Sequence, residues 1–288
     1  MEELKPYIDW TFFFHSWRIT GKYPAIFEDP VKGIEARKLF EDANRLLDEI
    51  INKKMLIARG TIGIYCCNAI GDDVEVYPDE TRSTPLSTFR FLRNQQAKEK
   101  GQANFCLADF IAPRESGVGD YIGLFAVTAG LGVEEWVGYY QQELDEYHAI
   151  LIKILSDRLA EAFAERMHQR IRTEFWGYAT NEKLDIPSLF REAYTGIRPA
   201  PGYPACPDHS EKRIIFDLLE ADKQVDIQLT ENYAMYPGAS VSGYYFAHPE
   251  SQYFNLGKIS RDQVTDYSRR KGIPLEQAEK LLHTQLNY

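Results

Sequence analysis

The residues with chemistry to offer gather in one segment of this chain, Arg198-Pro199-Ala200-Pro201-Gly202-Tyr203-Pro204-Ala205-Cys206-Pro207-Asp208-His209. Four prolines and a glycine in twelve residues can neither continue a helix nor sit inside a central strand, so the segment is a stiff, irregular loop. Such a loop is shaped before any ligand arrives and loses little freedom on binding one. It carries a guanidinium, a phenol, a thiol and an imidazole. The planar fork of Arg198 suits a carboxylate held by two parallel bonds, and Gly202 permits a closer approach to the backbone than a β-carbon would. The same composition also suits a rigid connector over a core, with Arg198 tying the loop to a helix end. Cys206 and His209 have Cys-x-x-His spacing, but no second pair accompanies them and no metal is expected.

The elements that must hold this loop are read from periodicity. Leu39, Ala43, Leu46, Leu47, Ile50 and Ile51 recur at helical spacing within 33–53, the pattern of an amphipathic helix. Ile62, Ile64, Tyr65 and Cys67, then Val74 and Val76 beyond Gly71-Asp72-Asp73, predict a β-hairpin over Ala58–Tyr77. Cys106–Pro113 and Tyr121–Ala129 read as two further strands, the second apolar enough to be covered on both faces. Residues 134–175 are almost free of helix breakers and predict one long helix or two in succession. A short helix at 187–194 leads into the proline loop, and another starts at Glu211–Leu219. Strands are expected at Asp226–Leu229, Ala239–Ala247 and Gln252–Leu256. Helices follow at Arg261–Lys271 and Leu275–Leu282, divided by Gly272 and Pro274. Two groups of strands interrupted by long helices give an α+β fold with a largely antiparallel sheet.

The chain has 288 residues, 44% hydrophobic and 26% charged. That composition belongs to an ordinary globular protein, and no linker divides it, so a single domain over 1–288 is expected. No apolar run approaches the roughly 20 residues a membrane span needs, and the start, Met-Glu-Glu-Leu-Lys-Pro, lacks the features of a secretion signal. A cytoplasmic protein is expected. Cys66, Cys67, Cys106 and Cys206 make no disulfide framework. A net charge of −10 argues against nucleic acid and favours a cationic ligand.

The loop, extended through Ser210-Glu211-Lys212, resembles the signature of the S-adenosylmethionine-binding activation domain of cobalamin-dependent methionine synthase. Residues 231–249, Glu-Asn-Tyr-Ala-Met-Tyr-Pro-Gly-Ala-Ser-Val-Ser-Gly-Tyr-Tyr-Phe-Ala-His-Pro, are similar to the next segment of that family. Ile8-Asp9-Trp10 with Gly21-Lys22-Tyr23-Pro24 resembles its opening, and 157–165, Phe175-Trp176-Gly177-Tyr178 and Arg261-Asp262-Gln263-Val264 follow in the family's order. The likeness spans nearly the whole chain. It implies a bent α+β domain that binds S-adenosylmethionine (AdoMet) and supports reductive methylation of cob(II)alamin to methylcobalamin, which reactivates the enzyme of methionine biosynthesis.

By this resemblance Arg198 meets the amino-acid end of AdoMet, the backbone at Ala200 and Gly202 touches the ligand, and Tyr203 packs beside it. Asp9 and Glu161 match acidic positions that offset its ammonium and sulfonium charges, and Tyr253 and Phe254 match an aromatic contact. The second aromatic is Phe where the family has Tyr, which puts any role of that hydroxyl in doubt. Glu192 and His209 also match family positions, although His209 would equally cap the helix starting near Glu211. Neither a cobalamin-binding Asp-x-His-x-x-Gly nor a zinc-holding cysteine set is present. The resemblance therefore places cobalamin on a partner module and makes a flavodoxin-like protein the electron donor. The chain is then either a C-terminal piece of the large enzyme or a separate subunit. Basic clusters at Arg166, Arg170 and Arg172 and at Arg269, Arg270 and Lys271 are candidate docking footprints for an acidic donor, or simply complements to helix dipoles. The alternatives are a non-catalytic module that binds AdoMet or docks on a corrinoid protein, and a cobalamin-independent methyltransferase. The latter lacks the glycine-rich strand-to-helix turn of its common class.

Overall fold

The computed structural model describes all 288 residues. An N-terminal 3-10 turn leads into helix α1 (Trp10–Ser16), followed by α2 (Gly33–Lys53). Strands β1 (Ile57–Ile70) and β2 (Asp73–Tyr77) form the hairpin the alternation predicts, and β3 (Ser87–Arg90) extends it. β4 (Asp120–Leu131) precedes α3 (Val133–Gln142), α4 (Glu146–Arg170) and the short α5 (Ile186–Phe190). After the proline loop come α6 (Lys212–Leu219), α7 (Ala221–Gln224), the two-residue strands β5 (Gln228–Leu229) and β6 (Met235–Tyr236), and β7 (Ser240–Tyr245). Helices α8 (Arg261–Lys271) and α9 (Leu275–Leu281) end the chain.

The main sheet has the order β3-β2-β1-β4-β7, antiparallel throughout. β4 sits between β1 and β7, and its residues from Ile122 to Gly130 are buried, as its unbroken apolar run requires. One core joins α1, α2, α3 and α4, with Phe13, Phe14, Leu47, Ile50, Leu151 and Leu155 fully enclosed. A second lies on the sheet beneath α6, around Phe89, Phe91, Phe216 and Tyr244. The architecture is α+β. No helix is long and apolar enough to cross a membrane.

Two readings of the sequence are corrected. Residues 106–113 form no strand: Leu107–Phe110 is a 3-10 turn, because Asp109 turns back to accept from the Cys106 amide at 2.9 Å. Gln252–Leu256 is irregular, its C-terminal end taken up by Pro204 O, which accepts from Leu256 N at 2.9 Å, and by Asn94, which donates to Asn255 O at 2.7 Å. Of the two expectations for the stretch after 133, one long helix or two in succession, the second holds: the helices part at Leu144, whose φ of 59° is left-handed, and Asp145 caps the second by accepting from His148 N at 3.0 Å.

Buried charge holds the proline loop to α8. Lys271 donates to Asp208 at 2.8 Å and to Glu211, and Tyr267 donates to Asp208 at 2.6 Å. Asp208 and Glu211 are buried. Burial works against the charge of Asp208, but the Lys271 ammonium together with the hydrogen bonds from Tyr267 and Ser210 outweighs it and holds this carboxyl below its usual range. Burial prevails at Glu211 and raises its pKa. Asp208 also caps the turn into α6 by accepting from Ser210 N at 2.8 Å. Removing the ammonium would strand two carboxylates in the interior, so Lys271→Met should destabilise the fold by about 3–5 kcal/mol in urea denaturation.

Candidate functional site

The proline loop lies along the open side of β7. Ile197 and Phe246 exchange backbone hydrogen bonds of 3.0 Å each way, and Tyr244 N donates to Pro199 O at 2.9 Å. This approach needs a glycine opposite, for a β-carbon on Gly243 would stand 2.5 Å from Pro199 O. The loop then closes on itself: Gly202 N donates to Cys206 O at 2.7 Å and Cys206 N to Tyr203 O at 2.9 Å. Gly202 has a φ of +95°, and a β-carbon there would come within 2.2 Å of the His209 ring. The glycine thus makes room for the adjacent His209 ring as well as for the left-handed turn.

Between this loop, α4, α5 and the N-terminal segment lies a cleft of about 380 Å³. Asp9, Glu161, Glu192, Arg198 and Tyr203 all line it, although they lie far apart in the chain. Each arrives by a local cause. Asp9 caps α1, its carboxylate accepting from Thr11 N at 2.9 Å. Glu161 projects from α4 on the same face as Arg158 and Glu165, three and four residues away. Glu192 follows the end of α5 with a left-handed φ of 56°, where glycine is the usual occupant. Burial raises the pKa of Glu161 and of Glu192, in both cases against the pull of nearby arginines.

Arg198 is held from three sides. Its guanidinium pairs with Glu165 at 2.8 Å and donates to the Tyr194 hydroxyl at 3.0 Å, while its backbone N–H donates to the Tyr253 hydroxyl at 3.0 Å. Burial alone would lower its pKa; the facing Glu165 carboxylate, together with Tyr194, Tyr253 and Glu161, more than offsets this and keeps it charged. Glu165 is itself buried, and its Oε1 has no hydrogen-bond partner. Behind the pair, His168 is fully buried, stacked on Tyr245 with ring centres 5.2 Å apart. Burial holds its pKa well below the usual value.

The remaining sequence candidates fall elsewhere. Ala200 is buried in the loop, and its carbonyl accepts from Tyr203 N at 3.2 Å. Phe254 packs against the sheet core beside Phe105, 6.0 Å between ring centres, and does not line the cleft. His209 faces a second cleft, across Tyr203 from the first, with its Nδ1 2.7 Å from Lys212 Nζ. The helix cap is Asp208, not His209. No three His, Cys, Asp or Glu side chains gather as a metal site. Neither basic cluster is a free patch: Arg166 pairs with Glu3, Arg170 with Glu174, and the fully buried Arg172 with Glu182. Arg270 and Lys271 are likewise committed to acidic partners, which leaves only Arg269 mostly exposed, beside Asp266. Sequence reasoning missed Glu165 and Tyr194. The i, i+4 spacing of Glu161 and Glu165 on a helix with apolar residues between them was the available signal.

With this geometry in place, the comparisons with known proteins converge. Residues 1–272 match the family described as vitamin B12 dependent methionine synthase, activation domain, and the chain belongs to that family. It is therefore a domain type of a cobalamin-dependent methyltransferase. Among solved structures it is similar to one titled as the MetH reactivation domain bound to AdoHcy, with 52% sequence identity and a TM-score of 0.97, covering 100% of this chain and 88% of that one.

The contact of His209 with Gly202 is open to a direct test. Gly202→Ala should cost about 1–2 kcal/mol of stability from the left-handed backbone alone. Chemical denaturation of Gly202→Ala, His209→Ala and the double variant should show part of the total recovered when the imidazole is absent.

Proposed function

We propose that the chain, acting as one unit over 1–288, binds AdoMet in the Asp9–Glu161–Glu192–Arg198–Tyr203 cleft and supports reductive methylation of cob(II)alamin carried by a partner module. The observation that carries this reading is the joining of acidic and guanidinium groups in one cleft, in a chain 52% identical to a reactivation domain that holds AdoHcy. AdoMet offers a carboxylate, an ammonium and a sulfonium, and the cleft offers charge of opposite sign to each. Arg198 meets the carboxylate while Glu165 keeps its fork oriented. Asp9, Glu161 and Glu192 face the two cationic centres, with Tyr203 at the wall. Tyr253 acts by fixing the Arg198 backbone, and Ala200 and Gly202 by shaping the loop.

The partner's cobalt is the substrate: it takes one electron from a flavodoxin-like donor and then the methyl group. In the transfer the sulfur–methyl bond breaks as the cobalt–carbon bond forms, and AdoHcy leaves with the electron pair of the broken bond on sulfur. This chemistry asks the chain for orientation, not for proton transfer. Trapping the reduced metal by methylation draws an unfavourable reduction forward. Such a partnership fits a cytoplasmic setting.

Calorimetry should show AdoMet binding to the chain, and Arg198→Ala should weaken it by about 2–5 kcal/mol, with Arg198→Lys between the two. Methyl transfer to a cobalamin-loaded partner, with reduced flavodoxin and AdoMet, should require this chain. Binding without any transfer would leave a non-catalytic AdoMet module.

A pH effect follows from the raised pKa values of Glu161 and Glu192. A bound cation favours their ionised forms, so affinity is full above those values and is lost as pH falls through them. Asp9, Glu165, Arg158 and Arg198 line the same cleft. The decline in AdoMet affinity should begin above the ordinary glutamate value of 4.5 and should start lower in Glu161→Gln.

A further inference from the structure

We propose that His168 is a positioning residue of the cleft, joining Arg172 to Glu165 through enclosed water and so fixing the fork of Arg198 that meets the carboxylate of AdoMet. The inference rests on the reading that AdoMet occupies the cleft. Along α4, Glu161, Glu165 and His168 recur at spacings of four and three, and Arg172 follows four residues on, in the π-helical turn Ile171–Phe175 that continues the helix. Such spacing makes one stripe, which starts in the cleft and runs into the apolar cluster of Phe125, Val127, Ala164, Ile171 and Tyr245. Packing alone would fill that stripe with Leu or Phe. Instead Glu165, His168 and Arg172 are buried there, with enclosed polar atoms that have no partner: Glu165 Oε1, Arg172 Nη1 and both ring nitrogens of His168. The Tyr178 and Tyr245 hydroxyls, packed in the same cluster, are also unpartnered.

Donors and acceptors in this set match in direction. Arg172 gives Nε and Nη2 to Glu182 and has Nη1 left to donate. Glu165 gives Oε2 to Arg198 and has Oε1 left to accept. A neutral imidazole offers one acceptor and one donor, which is what the two ends lack. His168 is neutral because burial, and then the charges of Arg198 and Arg172, oppose its cation. One ring ties the three groups together: Tyr194 accepts from Arg198 at 3.0 Å, has the Arg172 guanidinium over its face at 4.0 Å, and meets His168 edge to face at 4.9 Å. Buried polar atoms that do not reach one another are served by enclosed water, which makes several bonds at once. A carboxylate held by one oxygen alone can turn about its own axis. A donor on Oε1 fixes the plane of Glu165, and with it the guanidinium that Glu165 faces.

The test compares AdoMet with decarboxylated AdoMet, which keeps the ammonium and the sulfonium but has no carboxylate for Arg198, by calorimetry on the full chain. The unaltered chain should prefer AdoMet by on the order of 10-fold or more. His168→Phe keeps a ring stacked on Tyr245 and should hold the melting temperature, yet it should lower the preference several-fold by weakening AdoMet, with the decarboxylated ligand held within about twofold. His168→Asn and His168→Gln can each donate and accept, and at least one of them should restore most of the preference. Nitrogen NMR of the unaltered chain, which needs no variant to fold, should show His168 as a single neutral tautomer with one protonated and one bare ring nitrogen. A cationic ring or exchanging tautomers, equal affinity of the unaltered chain for the two ligands, or a preference left unchanged in His168→Phe because both ligands weaken in parallel or neither does, would overturn the inference and leave AdoMet binding intact. Failure of AdoMet to bind the unaltered chain would overturn the proposed function and this inference with it.

Discussion

The Lys271 ammonium, enclosed between Asp208 and Glu211, is the constraint on which the arrangement of the molecule depends. Burying three charges costs more than packing apolar residues of similar size, so such a cluster is weak evidence of stability for its own sake. What it fixes is geometry. Asp208 closes the proline loop and starts α6, Glu211 accepts from Arg90 N of β3 at 3.1 Å, and Lys271 ends α8. One cation thus joins the loop, the far edge of the sheet and the C-terminal helices. The prolines make the loop stiff, and the ion cluster decides where that stiff object stands.

Much of the architecture was open to reading along the chain. The helix at 33–53 and the 58–77 hairpin follow from periodicity, because each buries one face against a partner present throughout its length. The misreadings share a cause. Residues 106–113 and 252–256 carry the apolar and aromatic residues of strands, yet their backbone groups are satisfied by side chains and distant loops, Asp109 in one case and Asn94 in the other. Hydrogen bonding to individual side chains, near or remote, leaves no period in a sequence. Two helices in succession were one of the expectations for 134–175, but the place where they part was not legible, since leucine is a good helix former and nothing local marks a left-handed turn at Leu144.

The site was legible chiefly through resemblance. Composition alone would leave Glu161 as one more solvated helix residue, and Asp9 as a helix cap, which it also is. That they converge with Arg198 is a fact of the fold. Glu165 and Tyr194 escaped notice because their role is indirect: they touch the arginine, and the arginine faces the cleft. Phe254 shows the opposite failure, for an aromatic pair along the chain splits when one ring turns to the core and the other hydroxyl turns to the Arg198 backbone. The basic clusters failed for a simpler reason. Charges that look like a surface patch in sequence are paired with acidic partners, some a helical turn away, as Glu174 and Asp266, and some brought in from distant segments, as Glu3, Asp73 and Asp208.

The pairing of Ile197 and Pro199 with β7 has a meaning beyond ligand recognition. β7 ends the main sheet, and an uncovered terminal strand is a template on which another chain can add. The loop occupies the β7 backbone groups at Tyr244 and Phe246 and then turns away through residues that cannot propagate a sheet, since proline has no N–H to donate. The segment proposed to select a small molecule is therefore also a cover for the sheet edge against self-association. Changes that loosen it would surface as insolubility as well as lost binding, and a ligand that tightens it would act as a solubilising agent for the whole fold.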